Sequence, residues 1–247
     1  MAGYARRGVH GQIVELLARR VLTGTPAQGG TFDLGALQAE LGVSLPALRE
    51  ALKVLAAKGM VDARPRRGTF VRPRGDWNLL DGDVLRWQFD GGANEAMLDQ
   101  LQEVRHIVEP AAARLAAERR TEDDLAALHD ALAAMAGAGA DAAAQVSADL
   151  AFHRALLNAA HNELLQRMEV VLETGLAERD RLVHGTPYPD DPPPGHGTAH
   201  PGDPLPSHRA VARAIGEREP EAAEEAMRAL LAQAVRDVHR LRGEEAR

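Results

Sequence analysis

Residues 41–71 read LGVSLPALREALKVLAAKGMVDARPRRGTFV, and this stretch decides the predicted fold of the front of the chain. Gly42 breaks one helix, Ser44 caps the next with Pro46 tolerated in its first turn, and Gly59 supplies the left-handed residue that ends it. Two helices joined by so tight a turn form a helix-turn-helix.

A short hairpin is predicted directly after this pair of helices. Residues 60–63 and 69–71 are short strand candidates, and the arginine-rich run 64–68 joins them. Upstream, apolar residues at a spacing of three to four predict a first helix from Val9 to Val21, and Asp33 caps a short helix before Gly42. Three helices followed by a hairpin make a winged helix-turn-helix.

The rest of the chain is predicted to be helical, because alanine and leucine dominate it and aromatic residues make up only 3% of the sequence. Apolar periodicity predicts helices over 94–118 with a kink at Pro110, 121–136, 141–159, 162–184, 205–217 and 220–242.

We therefore expect a mainly α protein. It comprises an N-terminal winged helix-turn-helix over 1–74, a linker and connecting helix over 75–93, and a C-terminal all-helical bundle over 94–247. The bundle is interrupted by a proline-rich surface loop over 185–204, where a solvated loop is favoured over a metal-binding histidine tract.

Charge separates the two parts of the chain. The whole chain carries net charge −7, but residues 1–74 hold 12 Lys and Arg against 5 Asp and Glu, while residues 75–247 hold 17 against 31. Only residues 1–74 thus have the net positive charge that favours binding to a polyanion. The absence of cysteine excludes disulfides and thiolate chemistry, and no apolar run approaches a membrane span, so we expect a soluble, cytoplasmic protein without a membrane partner.

The second helix of a helix-turn-helix enters the DNA major groove. Ser44 at its start suits a phosphate, and Arg49 one turn later reaches a phosphate or a guanine edge. The hairpin tip would lie along the adjacent backbone or minor groove. A solvated face of a small helical domain is the alternative. The predicted DNA-binding residues are Ser44, Arg49, Lys53, Arg66, Arg67, Gly68 and Thr69.

An acid and a histidine share an apolar helix stripe in the rear part. Asp149 and His153 lie one turn apart on it, and His208 has a similar apolar setting on a later helix. Carboxylate and imidazole are suitable ligands for Zn, Ni or Mn, so these three residues form a candidate metal site. A structural Asp–His hydrogen bond with an ordinary core histidine is the alternative.

Arg105 occupies another apolar stripe, on which Glu109 is the polar neighbour one turn later. An internal salt bridge to Glu109 accounts for a buried arginine in this position. A clamp on the carboxylate of a ligand accounts for it equally well.

Specific motifs resemble a known family. Leu41-Gly42-Val43-Ser44, Leu48-Arg49-Glu50-Ala51-Leu52 and the run 64–71 resemble the DNA-binding domain of GntR-family transcription regulators, and the later helices resemble the ligand-binding (FCD) domain of the FadR-type branch. The junction over 74–87 is similar to that of sugar-acid regulators in this family. The resemblance implies a homodimeric repressor, not an enzyme, that leaves double-stranded operator DNA when a sugar acid or other small carboxylate binds.

The resemblance also bears on the rear site. Asp149-Leu150-Ala151-Phe152-His153 matches the Asp-x-x-Phe-His element of metal-binding members, and His208 matches their next ligand. Their final histidine falls at Leu230, so one ligand is missing. Members with small-acid effectors use the arginine that corresponds to Arg105, which makes Arg105, Asp149, His153 and His208 the implied effector-binding residues.

The front domain departs from the family pattern at two places. Leu45 stands where the family usually has arginine, with Pro46 after it, and Gly35 falls within the usual Ser-Glu-Arg element of the preceding helix. Loss of two arginines removes base contacts, so we expect an altered or more weakly bound operator.

Two other functions fit part of the sequence. A metal-dependent hydrolase or lyase would use Asp149, His153 and His208, but no general base is evident beside them. A regulator with an acyl-CoA effector is the other, although Arg105 and Asp149 suit a small polar acid better.

Overall fold

The computed structural model describes residues 8–90, 95–139, 141–172 and 204–241. The chain divides by its contacts into two compact units, residues 1–94 and residues 95–247. Each unit has a hydrophobic core of its own. Of the predicted proline-rich loop, only Pro204 lies within the described residues.

Three helices open the first unit: α1 (Val9–Leu22), α2 (Leu34–Leu41) and α3 (Leu45–Ala57). Their ends follow from local chemistry. The Asp33 side chain accepts a hydrogen bond from the Ala36 amide at the start of α2. Gly42 ends α2 in the left-handed conformation, with φ 63°. The caps that the sequence predicts around the tight turn are therefore present.

A two-stranded antiparallel hairpin follows, formed by β1 (Val61–Arg64) and β2 (Gly68–Val71). Gly59, between α3 and β1, has φ 75°, and a β-carbon there would lie 2.4 Å from the Asp76 carbonyl oxygen. Only glycine fits this position without moving the backbone. The predicted winged helix-turn-helix is confirmed.

Helix α4 (Gly82–Asp90) belongs to the first unit. Its residues Val84 and Trp87 lie in the core of that unit. Lys58, at the end of α3, places its Nζ 2.6 Å from Asp81 Oδ1 and 2.9 Å from Asp83 Oδ2. Residues 75–90, the described part of the segment predicted to connect the two domains, thus pack with the first unit.

The second unit is a helical bundle, as predicted. Its described helices are α5 (Glu95–Arg119), α6 (Glu122–Gly137), α7 (Ala142–Ala159), α8 (Glu163–Arg167), α9 (Leu205–Gly216) and α10 (Pro220–Leu241). Helix α5 packs against α7, α9 and α10, and α6 packs against α7 and α9. No helix in the described residues is long and apolar enough to cross a membrane.

One predicted helix is interrupted. The prediction of a single helix over 162–184 is wrong at its beginning, because α8 ends at Arg167. The Met168 amide bonds to the Leu165 carbonyl three residues back, which tightens the turn and interrupts the α-helical pattern at Met168; residues 169–172 are helical again. The part of that prediction beyond residue 172 lies outside the described residues.

Candidate functional site

Helix α3 presents a polar face opposite its buried apolar one. Ser44 Oγ accepts a hydrogen bond from the Ala47 amide, so the hydroxyl proton stays available for a further acceptor. Arg49 is exposed, and within the described residues no ion pair involves it. Lys53 places its Nζ 2.7 Å from Glu50 Oε1, and both side chains are exposed.

The two arginines of the hairpin tip differ in their surroundings. Arg66 is exposed and has φ 64°, at the turn itself. The Arg67 guanidinium lies 3.7 Å from the centre of the Phe70 ring, and its Nη2 donates to the Gly29 carbonyl at 2.9 Å. Beside them Thr69 accepts a backbone hydrogen bond from Phe32. The Arg67 side chain therefore anchors the hairpin, whereas Arg66 has no such role.

In the second unit, α5, α7 and α9 bring five ionisable side chains together in the interior. They are at most 5% exposed: Arg105, Glu109, Asp149, His153 and His208. The stripes of the sequence predicted four of these positions. The carboxylate of Glu109, considered there only as an ion-pair partner of Arg105, is a full member of the cluster.

Arg105 and Glu109 form a buried ion pair within α5. Arg105 Nε donates to Glu109 Oε1 at 2.6 Å, and Arg105 Nη2 lies 3.5 Å from Glu109 Oε2. The salt bridge anticipated from the spacing is thus present. It uses one side of the guanidinium, and Arg105 Nη1 is buried with no hydrogen-bond partner among the described residues. The ion pair and a ligand clamp are therefore compatible.

Glu109 is ionised despite complete burial. Desolvation raises the pKa of this carboxyl, but Arg105 and His153 outweigh it and hold the pKa at about 2. Buried charge is stable here because both neighbours interact with the carboxylate. Loss of Glu109 would leave the Arg105 charge buried without a counter-charge, and loss of Arg105 would do the same to the Glu109 carboxylate.

The geometry around the two histidines indicates their tautomers. His153 Nδ1 lies 2.7 Å from Glu109 Oε2, and His208 Nδ1 lies 2.7 Å from the Pro204 carbonyl oxygen. The Pro204 oxygen can only accept, and Arg105 Nη2, which lies 3.3 Å from His153 Nε2, can only donate, so a neutral histidine at each position carries its proton on Nδ1. The unprotonated nitrogen is then Nε2 in both rings.

Asp149 faces both of these nitrogens. Asp149 Oδ1 lies 2.9 Å from His208 Nε2 and 3.8 Å from His153 Nε2. The shorter approach is not aligned as a hydrogen bond, and His208 Nε2 has no hydrogen-bond partner among the described residues. A carboxylate oxygen and an imidazole lone pair repel each other at this distance, so the contact requires a proton or a metal cation.

The three residues form a candidate site for a divalent metal ion. One ligand atom from each of Asp149, His153 and His208 lies within 4.8 Å of the others. Metal–ligand bonds of about 2.0–2.2 Å at tetrahedral angles place ligand atoms about 3–4 Å apart. Hydrogen bonding at Nδ1 is also how metal-binding histidines are commonly oriented. Leu230 lies in the apolar core and supplies no ligand.

Two parts of the cluster escaped prediction from the sequence. Glu109 was signalled only by its spacing of four from Arg105, which suggests an ion pair but not a contact with His153 on another helix. The Pro204 carbonyl was not signalled at all, because a backbone oxygen has no characteristic residue type.

Comparisons with known proteins agree with the fold. Residues 10–71 match the family model described as bacterial regulatory proteins, gntR family, and residues 100–233 match that of the FCD domain. Solved structures with similar folds include Streptococcus agalactiae GntR, with a TM-score of 0.50, 22% identity and coverage of 92% of this chain and 99% of that one. Lar, described as controlling the Listeria monocytogenes agr system, has a TM-score of 0.61, 17% identity and coverage of 95% and 98%.

Relatives of higher identity are transcriptional regulators. The galactonate operon transcriptional repressor of Escherichia coli K12 is 36% identical over 164 residues, which are 66% of this chain and 72% of that protein. The HTH-type transcriptional regulator LutR of Bacillus subtilis 168 is 38% identical over 139 residues, 54% of this chain and 59% of that protein. The chain is thus a transcription regulator rather than an enzyme, and it belongs to the GntR family, in the branch with an FCD domain.

Proposed function

We propose that the protein represses an operon for the catabolism of a sugar acid or another small carboxylate, and that it leaves its operator when that acid binds to the second unit. The proposal assigns DNA binding to Ser44, Arg49, Lys53, Arg66, Arg67, Gly68 and Thr69, with the largest electrostatic contribution from Arg49 and Arg66. It assigns the effector to Arg105, Asp149, His153 and His208. Operator DNA lies in the bacterial cytoplasm, where the protein would act.

A single observation supports the effector site. Within the described residues, two buried nitrogen atoms of the cluster, His208 Nε2 and Arg105 Nη1, have no hydrogen-bond partner. A divalent cation would satisfy the 2.9 Å contact between Asp149 Oδ1 and His208 Nε2, and a ligand carboxylate would supply the acceptor that Arg105 Nη1 lacks among the described residues. Buried polar groups left without partners destabilise a fold by about 1–3 kcal/mol each. Such a cost is tolerated where a ligand supplies the missing partners.

The residues at this site favour a small polar acid. A guanidinium binds a carboxylate through two parallel hydrogen bonds, and the neighbouring Gln102 Oε1 is another buried atom without a hydrogen-bond partner among the described residues. Galactonate, named for the Escherichia coli relative, is an acid of this kind. A cluster of five ionisable groups is poorly suited to the acyl chain of a CoA ester.

Asp149, His153 and His208 would hold a divalent ion such as Zn, Ni or Mn. Such an ion supplies positive charge and a binding position for ligand oxygen atoms. His153 and His208 would keep their neighbours at Nδ1, Glu109 and Pro204, while Nε2 binds the ion, and Leu230 limits the protein ligands to three. We assign the ion a role in binding the effector and no role in turnover.

Operator binding would use two copies of the chain. A homodimer places two α3 helices about one DNA turn apart, which suits a palindromic site. An acid that binds one arrangement of the dimer more tightly shifts the population toward it. Sedimentation of the free protein and of its complex with DNA would establish the number of copies.

The proposal is tested with a duplex that the protein itself selects from a random pool. Arg49→Ala should weaken binding of this duplex about tenfold and leave acid binding unchanged. Arg105→Lys retains a partner for Glu109 but loses the two-pronged clamp, so it should bind the duplex normally and fail to release it. Fluorescence anisotropy with a panel of aldonic, uronic and hydroxy acids measures both properties.

Arg228→Ala, which removes an exposed arginine from α10, serves as the control and should behave like the original protein in both assays. Equal defects in Arg49→Ala and Arg105→Lys would contradict the assignment of separate roles. Failure to prefer the selected duplex over random DNA at several salt concentrations would contradict the proposal as a whole.

A further inference from the structure

We infer that Arg105 and a divalent metal ion compete for the same nitrogen of His153, so that metal binding releases the guanidinium toward the carboxylate of the effector. The inference rests on the proposed function, because it concerns how the same site responds to its two ligands. It gives Arg105 a role in metal binding in addition to its role in binding acid.

The competition follows from one contact. Arg105 Nη2 lies 3.3 Å from His153 Nε2, across from α5 to α7. Because Arg105 Nη2 can only donate, a neutral His153 ring accepts with its lone pair on Nε2 and has its proton on Nδ1, which lies 2.7 Å from the Glu109 carboxylate. That lone pair accepts one N–H donor or binds one metal ion. It cannot do both.

The remaining contacts of the guanidinium do not depend on His153, so they persist when a metal replaces Arg105 at His153 Nε2. Arg105 Nε stays 2.6 Å from Glu109 Oε1, which fixes one side of the group. Nη1 has no hydrogen-bond partner within the described residues, and Nη2 makes only the long contacts to His153 and Glu109. Once a metal occupies His153, Nη1 and Nη2 together present the two parallel donors that a carboxylate needs. Glu109 is thus a positioning residue for Arg105.

The net charge of the buried cluster also favours binding of the acid after a metal ion has bound. With neutral histidines, Arg105 and Glu109 cancel, and Asp149 leaves the buried cluster with net charge −1. A divalent ion changes this to +1, which favours a monoanionic acid that the metal-free cluster disfavours. Metal and acid should therefore bind cooperatively, and each should raise the affinity of the other by the same factor.

The experiment measures zinc affinity with a competing chromogenic chelator, without DNA or acid, after removal of bound metal by EDTA. Arg105→Lys keeps the positive charge and can pair with Glu109, but it lacks the second arm that reaches His153. We expect this variant to bind Zn²⁺ about tenfold or more tightly than the original protein, as loss of a competing charge-assisted hydrogen bond predicts. Arg114→Lys, on an exposed part of the same helix, should leave zinc affinity unchanged.

Arg105→Met with Glu109→Gln removes both charges of the pair and guards against a folding defect in the single variant. It should also bind Zn²⁺ more tightly. Unchanged zinc affinity in Arg105→Lys, with or without a gain in the double variant, would overturn the inference, because the second arm of Arg105 would then not compete with zinc for His153. So would a chain that binds no zinc in any variant.

The outcome is separable from that of the proposed function. A protein that releases no operator with any acid, but whose Arg105→Lys variant gains zinc affinity, would contradict the proposed function and keep this inference. A protein that responds to an acid equally well with and without zinc would keep the function and overturn the coupling.

Discussion

The candidate DNA-binding surface of the first unit and the buried cluster of the second use charged side chains in opposite ways. In the first unit Arg49 and Arg66 are exposed and make no ion pair within the described residues, so each is largely independent of its neighbours. In the second unit Arg105 is 1% exposed and Glu109 is fully buried, and each depends on the other. Exposed charge suits a polyanion that supplies its partners from outside, whereas buried charge suits a small ligand and makes the fold itself dependent on each group.

The sharpest test of this difference compares two glutamates on α5. Glu109→Ala should lower the free energy of unfolding of the second unit by about 3–5 kcal/mol, because it leaves the Arg105 charge buried without its partner. Glu118→Ala removes the exposed member of a pair with the same i, i+4 spacing, at 3.6 Å from Arg114, and should cost less than about 0.5 kcal/mol.

Chemical denaturation followed by circular dichroism measures the effect, and tryptophan fluorescence supplies an internal control. Both tryptophans lie in the first unit, so their transition should move little in Glu109→Ala. Equal losses of stability in the two glutamate variants would show that burial does not separate the pairs.

The acid stability of the second unit should depend on Glu109. Its pKa is held at about 2, below the usual 4.5, so the ionised carboxylate stabilises the fold above pH 4.5. As pH falls from about 4.5 to about 2 this contribution of about 3 kcal/mol is lost. Denaturation of the original protein and of Glu109→Gln across this pH range tests the prediction, since the variant should lose less stability on acidification. Parallel curves for the two proteins would contradict it.

Substitution of the two arginines at the hairpin tip separates stability from DNA binding in the first unit. Arg67→Ala should destabilise this unit by about 1 kcal/mol, since it loses the contact with Phe70 and the hydrogen bond to Gly29. Arg66→Ala should leave stability unchanged and lower the salt dependence of DNA binding by about one counterion. Tryptophan fluorescence and anisotropy titrations in increasing salt measure the two effects. An exchange of the two phenotypes would mean that Arg67 contributes more to DNA binding than Arg66 and that Arg66 stabilises the hairpin.

The smallest expected effect concerns the pair Glu50 and Lys53. Glu50→Gln removes a negative charge from the exposed face of α3 and frees Lys53, so DNA affinity should rise about threefold at low salt. Stability should change by less than about 0.5 kcal/mol. Asp130→Asn in the second unit makes the same change of charge on an exposed residue away from α3 and should not alter DNA affinity. Weaker DNA binding by Glu50→Gln would show that the carboxylate itself takes part in recognition.

Much of the fold was predictable because its signals are local. The caps at Asp33 and Ser44 and the left-handed glycine at 42 each act through residues a few positions away. The same holds for the apolar stripes that placed Asp149 and His153 on one face of α7. The extent of the helix after Asn162 was not predictable, because its interruption at Met168 leaves no Gly or Pro in the sequence there.

The candidate site was predictable only as a set of residue types. The stripes indicated that Arg105, Asp149, His153 and His208 face inward, and the choice between an ion pair and a ligand clamp for Arg105 stayed open. Distances show the ion pair, in which Glu109 uses the Nε side of the guanidinium, and the clamp stays a proposal for Nη1, which has no partner in the described residues. The direction of each nitrogen depends on how three helices pack.

The sequence by itself thus determined the classes of structure: a winged helix-turn-helix with a basic surface, followed by an acidic bundle of helices with inward-facing polar groups. Only the tertiary structure decided which atoms meet, such as Arg67 with Gly29, 38 positions away, or His208 with Asp149. The reason is physical. Helix periods and caps arise from interactions within about one turn, whereas contacts between distant side chains depend on the packing of whole elements, which short-range patterns do not encode.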